Sequence, residues 1–216
     1  MRVETEKSLC AFFMIFTYKT IQSQSEGIYK EKGSKFLSFA FPVSTVDQAK
    51  ELIDRHKKEY FDARHVCYAY MLGNERNSFR SNDDGEPTGT AGKPILGQIN
   101  SHQLTDILII VVRYFGGVLL GTGGLITAYK GAASDAISNC EIIEKTVKAN
   151  ISIRFDYLIL NDIMSICKQL NAEIMEQKFD NECELKIAIN KSDESIAKAK
   201  FDQLLIVHSS THIHIS

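Results

Sequence analysis

The chain has 216 residues, 44% of them hydrophobic, with 25 lysines and arginines against 27 aspartates and glutamates and a formal net charge of −2. This is enough apolar material for one domain or two, and the near balance of charge excludes the global basic field that drives non-specific nucleic-acid binding, so a polyanion would need a local basic patch. Five cysteines (Cys10, Cys67, Cys140, Cys167, Cys183), widely spaced and without a C-x-x-C pair, argue against a disulfide framework or a zinc site and fit a reducing cytoplasm.

The apolar run Leu9–Phe16 has about half the ~18 residues of a membrane span, and acidic Glu4 and Glu6 ahead of it do not suit a signal peptide. Residues 1–16 read as a leader outside the fold, with translation starting at Met14 and no membrane partner expected. Thr17–Gln22 and Gly27–Tyr29 read as short strands, and a turn at Lys32-Gly33 leads into Lys35–Val43, where Phe36, Phe39 and Phe41 supply β-propensity. Ser44 or Thr45 caps a helix from Val46 to about Tyr60, its charge run a solvated face. His65–Leu72 is a strand with Arg76–Arg80 pairing back onto it, and Lys93-Pro94 opens a helix, since proline's missing N–H costs nothing in a first turn.

Residues 107–112, Ile-Leu-Ile-Ile-Val-Val, form an apolar run of the length expected for a central strand covered on both faces. Gly124–Asn139 is a helix of small residues able to pack closely. From Thr146 the pattern becomes strand Val147–Phe155, helix Tyr157–Leu170, strands Glu173–Phe179 and Glu184–Ile189 around an Asp180-Asn181 turn, helix Asp193–Leu205 and strand Val207–Ile215, a ferredoxin-like βαββαβ unit. That segment holds 8 basic and 10 acidic residues, leaving 17 of each before it, so neither half is basic. The boundary falls near Glu141–Lys145.

Nine of the 13 glycines lie between Gly85 and Gly124, eight of them in Asp83–Pro94 and Arg113–Gly124. Since each glycine enlarges the entropy lost on ordering, this concentration points to a shaped backbone. Two readings stand: an anion cradle of N–H groups beside Arg113, Lys93 and Lys130, or glycines that only permit tight packing. The dinucleotide fingerprint fails for want of its last glycine after Gly121-Thr122-Gly123-Gly124, and the P-loop for want of its lysine. Asp83, Asp84 and Glu86 could hold Mg²⁺ through water, but a solvated turn is preferred. His65 is a candidate general base, with a hydrogen-bonded core histidine the preferred alternative. His208, His212 and His214 share strand parity with Ser210 and Ser216, and a polar strand face is preferred to a metal site.

The stretch Asp84-Gly85-Glu86-Pro87-Thr88-Gly89-Thr90-Ala91-Gly92-Lys93-Pro94, followed by Val112-Arg113-Tyr114-Phe115-Gly116-Gly117, Leu120-Gly121-Thr122-Gly123-Gly124-Leu125 and Ala128-Tyr129, closely resembles the signature of the YigZ/Impact family, and the resemblance runs from about Thr17 to Ser216. It implies an α+β protein of two domains: residues 17–143, an Impact-type domain with the ribosomal protein S5 domain 2 fold, and residues 144–216, similar to domain V of elongation factor G. Two family cations, a lysine and an arginine, are replaced here by Leu119 and Thr127. The kinase-regulating role of eukaryotic Impact proteins needs a further N-terminal module and is not expected of this chain.

The resulting expectation is a cytoplasmic RNA- or ribosome-binding protein that modulates translation, with neither cofactor nor metal. Its anion site would be drawn from Gly85, Thr88, Gly89, Thr90, Gly92, Lys93, Arg113, Tyr114, Gly116, Gly117, Gly121, Gly123, Gly124 and Lys130. One alternative is an enzyme acting on a small phosphorylated or acyl substrate, with catalytic candidates His65, Asp84 and Glu86. Another is a non-enzymatic protein-interaction module.

Overall fold

The computed structural model describes residues 16–179, 183–207 and 214–215. Residues 1–15 of the leader, Met14 included, the Asp180-Asn181 turn, and His208, Ser210, His212 and Ser216 lie outside the described residues, as does the side chain of His214. The fold is α+β, in two units that divide after Lys145.

The first unit contains strands β1 (Thr17–Ile21), β2 (Ser25–Glu31) and β3 (Ser34–Pro42), helix α1 (Val46–Glu59), strands β4 (His65–Leu72) and β5 (Ser78–Asn82), helix α2 (Gly92–Ser101), strand β6 (Ile107–Tyr114), helix α3 (Gly121–Ser138) and strand β7 (Ile142–Thr146). Five strands form an antiparallel sheet in the order β2-β3-β6-β4-β5, and β1 pairs with β7. The apolar run of β6 takes the central place because both of its faces are covered. Ile107, Ile109 and Val111 pack with Phe36, Ala69, Ile95 and Tyr129 beneath α2 and α3. Leu108, Ile110 and Val112 pack with Phe39, Tyr68 and Ile53 beneath α1. This is the expected α/β sandwich.

Local chemistry sets the helix ends. Thr45 caps α1 by accepting from the Gln48 N–H at 3.2 Å, while the Gln48 side chain reaches back to accept from the N–H of Ser44, one residue before the cap, at 2.9 Å. Small residues bring α3 onto the sheet: the hydroxyls of Ser25 and Ser38 each donate at 2.7 Å to carbonyls of α3, those of Ala136 and Ala132. The helix starts at Gly121, three residues before the sequence-based start at Gly124, because packing overrides the poor helix propensity of glycine. Strand β5 is Ser78–Asn82 instead of 76–80, since Arg76 sits in a turn at φ 55°.

The second unit has β8 (Lys148–Phe155), α4 (Leu160–Gln169), β9 (Glu173–Phe179), β10 (Cys183–Asn190), α5 (Glu194–Val207) and β11 (His214–Ile215). Its sheet runs β11-β8-β10-β9, all pairings antiparallel, which is the ferredoxin-like order. Alternate residues Ile151, Ile153 and Phe155 of β8 and Leu185, Ile187 and Ile189 of β10 meet Ile163 of α4 and Phe201 of α5 in one core.

Candidate functional site

Strand register assembles the site. Arg113, at the end of β6, lies between Phe36 of β3 and His65 of β4, its direct partners on either side. The loop after β5 brings Glu86 against this row, and the first turn of α3 closes it. The result is a cleft of about 490 Å³ lined by Arg64, His65, Gly85, Glu86, Pro87, Arg113, Phe115 and, around the start of α3, Leu119, Leu120, Gly121, Thr122 and Leu125.

The floor of the cleft is a buried ionic network. The Arg113 guanidinium donates to Glu86 Oε1 at 2.5 Å and the Tyr129 hydroxyl donates to the same oxygen at 2.8 Å, with the Arg113 and Glu86 side chains only 6% and 3% exposed. Arg113 also lies 5.5 and 5.8 Å from the ring centroids of Phe36 and Phe115, so the cation is flanked by aromatic faces. Its Nε has no hydrogen-bond partner among the described residues. Burial pushes the Tyr129 hydroxyl well above its ordinary range, reinforced by Cys67 and Glu86, and burial likewise pushes the Cys67 thiol up.

His65 is held in one orientation. A carbonyl only accepts, so the 2.7 Å contact of Nδ1 with the Asp84 carbonyl places the proton on Nδ1 and leaves Nε2 at 3.8 Å from Glu86 Oε1.

The three neighbouring carboxylates do not converge. Asp83 accepts from the backbone N–H groups of Gly89 (2.8 Å), Ala91 (3.0 Å) and Gly92 (2.8 Å), so the N–H groups of the first glycine segment already hold an anion supplied by the chain. Burial pushes the Asp83 carboxyl up, but these three donors and nearby Lys93 outweigh it and hold it below its ordinary value. Asp84 accepts from Lys57 Nζ at 2.6 Å and the Val66 N–H at 2.8 Å; here too burial acts upward and these partners hold the carboxyl low. Among the described residues no group of three His, Cys, Asp or Glu side chains is arranged to hold a metal, and no helix is long and apolar enough to cross a membrane.

Of the residues singled out from sequence, His65, Gly85, Glu86, Arg113 and Gly121 line the cleft. Thr88, Gly89, Thr90, Gly92, Lys93, Tyr114, Gly116, Gly117, Gly123, Gly124 and Lys130 are not among its lining residues, nor is Asp84, which anchors His65 through its carbonyl. Thr90 turns back to the Pro87 carbonyl at 2.7 Å, and Tyr114, one residue out of phase with Arg113, reaches Asp62 at 3.0 Å. Gly92 and Gly116 serve close approach: a Cβ on Gly92 would lie 2.6 Å from the Asn82 backbone nitrogen, and one on Gly116 would lie 1.9 Å from the Gly33 carbonyl carbon.

Two contributors were not among the sequence-based site residues, although Tyr129 belongs to the signature. Arg64 is an exposed cation in the cleft wall with no anionic partner among the described residues, placed there by its own N–H bonding to the Arg113 carbonyl at 3.0 Å. Tyr129 was signalled by being the large polar side chain on an otherwise small, apolar helix face. At the α3 entry, Leu120 offers no side-chain cap and the first turn contains no acidic residue.

Comparison with known proteins gives concordant matches. The family model for the Impact N-terminal domain matches residues 32–137, which include every residue of the cleft. The IMPACT family member YvyE of Bacillus subtilis (strain 168) is 31% identical over 180 residues, covering 83% of this chain and 83% of its own. The IMPACT family member YigZ of Escherichia coli (strain K12) is 34% identical over 160 residues, covering 73% of this chain and 78% of its own. A crystal structure described as that of a hypothetical protein superposes with a TM-score of 0.73 at 28% identity, over 93% of this chain and 97% of that one.

Proposed function

This chain belongs to the IMPACT family, and we propose that it is a cytoplasmic RNA- or ribosome-binding protein that modulates translation, with the cleft of its first unit as the anion site. In this reading residues 17–143 form the Impact-type domain that holds the anion, and residues 144–216 orient the partner. The observation that carries the proposal is the open start of α3: its first-turn N–H groups, which no side chain caps, belong to a turn that lines a cleft shared with Arg64 and Arg113. Unsatisfied N–H groups and the helix dipole favour a phosphate at such an end. The family signature implies folds of the translation machinery for both units, and that implication supplies the partner class by analogy.

The division of charge defines the test. Arg113 is already neutralised by Glu86 and Lys93 stands by Asp83, so the cation available to a phosphate is Arg64. Co-sedimentation with ribosomes and with bulk RNA at low salt is expected, weakening as salt rises and in Arg64→Ala. Absence of co-sedimentation with either at low salt would refute the proposal.

A second reading, an enzyme acting on a small phosphorylated or acyl substrate, draws on the fixed tautomer of His65 beside Glu86 in a cleft of small-molecule size. His65 would act as base through Nε2, with Asp84 positioning it. Native mass spectrometry should then detect a metabolite that co-purifies with the wild type and is lost in Glu86→Gln; an empty wild-type protein counts against this reading.

A further inference from the structure

The cleft's walls are unlike those of a groove that tracks a polyanion. Such grooves present several free cations along their length, whereas among the described residues this one offers Arg64 alone, and much of its wall is apolar: Phe115, Leu119, Leu120, Leu125 and Pro87. Phe115 remains 44% exposed although it lines the cleft, and Leu119 is 82% exposed at the mouth. Arg113, whose side chain is more than nine-tenths buried, lines the same cleft, and its buried Nε has no partner among the described residues. The site therefore combines one corner suited to an anion, at the start of α3 and Arg64, with an aromatic and aliphatic wall beside it.

Resting on the RNA-binding reading, we infer that the cleft takes one unstacked nucleotide, its phosphate at the α3 entry and Arg64 and its base against Phe115. A base exposes an apolar π face only when it leaves its stack, and aromatic side chains receive bases in that state. A duplex keeps its base faces internal and presents phosphate and sugar, which cannot satisfy the apolar wall. The volume of about 490 Å³ falls within the range of sites for a single small ligand. The required chemistry is that of a nucleoside monophosphate unit, whether part of a strand or free.

The test is fluorescence anisotropy on the full chain, using a labelled single-stranded oligoribonucleotide, a blunt duplex of the same sequence and a labelled nucleoside monophosphate. Single strand should bind at least about 10-fold more tightly than duplex. Phe115→Ala should weaken binding by about 5- to 10-fold without changing the salt dependence, and Phe115→Tyr should retain it. Arg64→Ala should instead flatten the plot of log affinity against log salt by about 0.7. Binding of the mononucleotide but not of RNA, lost in Phe115→Ala, keeps the nucleotide site and removes the RNA reading. Equal binding of duplex and single strand with Phe115→Ala silent overturns the nucleotide site and leaves the RNA reading standing. Binding of none of the three probes overturns both.

Discussion

Arg113→Met tests whether the floor of the cleft is a structural ion pair. The substitution preserves much of the side-chain length between Phe36 and Phe115 but leaves the Glu86 carboxylate, 3% exposed, with only the Tyr129 hydroxyl as donor. Removing one partner of a buried pair strands the other charge, a cost of about 3–5 kcal/mol. With a urea dependence of about 2 kcal/mol per M, the unfolding midpoint should fall by about 1.5–2.5 M. The chain has no tryptophan and 8 tyrosines, of which Tyr157 alone lies beyond the first unit, so tyrosine fluorescence reports mainly on that unit. Adding Glu86→Gln to Arg113→Met should recover part of the loss, because an amide needs no cation. A loss below about 1 kcal/mol, or a double variant no more stable than the single one, would refute the ion-pair argument.

Asp83→Ala removes the acceptor of three backbone N–H groups and should cost about 1–3 kcal/mol, read as faster hydrogen exchange at Gly89, Ala91 and Gly92. In the wild type, the carboxyls of Asp83 and Asp84 are held low in the folded state. Their stabilisation is therefore complete above the unfolded carboxyl pKa and is lost as pH falls through the lower folded value, so protection of these amides should decline below about pH 4; protection unchanged at pH 2–3 would contradict the assignment. Gly116→Ala would place a Cβ 1.9 Å from the Gly33 backbone and should cost about 3 kcal/mol in chemical denaturation, at the upper end of overpacking penalties. Leu119→Lys adds a free cation at the mouth of the cleft and should steepen the salt dependence of single-strand binding by about 0.7, measured by anisotropy from low to moderate salt.

The framework was legible wherever a residue's neighbours along the chain decide its state. The run at 107–112 announces a strand covered on both faces, and the alternation in 147–155 and 184–189 fixes a half-buried sheet, because burial periodicity is a local property. The helix start at Gly121 was missed for the converse reason: three glycines in four residues argue against a helix until the sheet beneath α3 contributes packing. At the site, sequence placed His65, Glu86 and Arg113 in the right region but could not pair them. Glu86 and Arg113 are 27 positions apart, and only the strand register together with the path of the loop after β5 brings them into contact. The neighbours Asp83, Asp84 and Glu86 face three different sets of donors, a divergence set by loop conformation that composition cannot reveal. Lys93 read as a free cation because its neighbour Asp83 had not been recognised as the anion already seated in the glycine loop.

The pairing of β1 with β7 bears on how the protein is made. This ladder joins the first strand of the unit to its last, and Thr17 Oγ1 donates to Glu144 Oε1 at 2.6 Å across 127 positions. The first unit thus cannot close until residue 146 has been synthesised, although the central sheet is complete once β6 has emerged. The strands of the cleft precede the second strand of this ladder along the chain, so during synthesis they are available before the ladder can form. Once that strand arrives, the unit's two ends lie side by side, which makes the linkage between them a natural place to join the ends and reopen the chain elsewhere without disturbing the sheet.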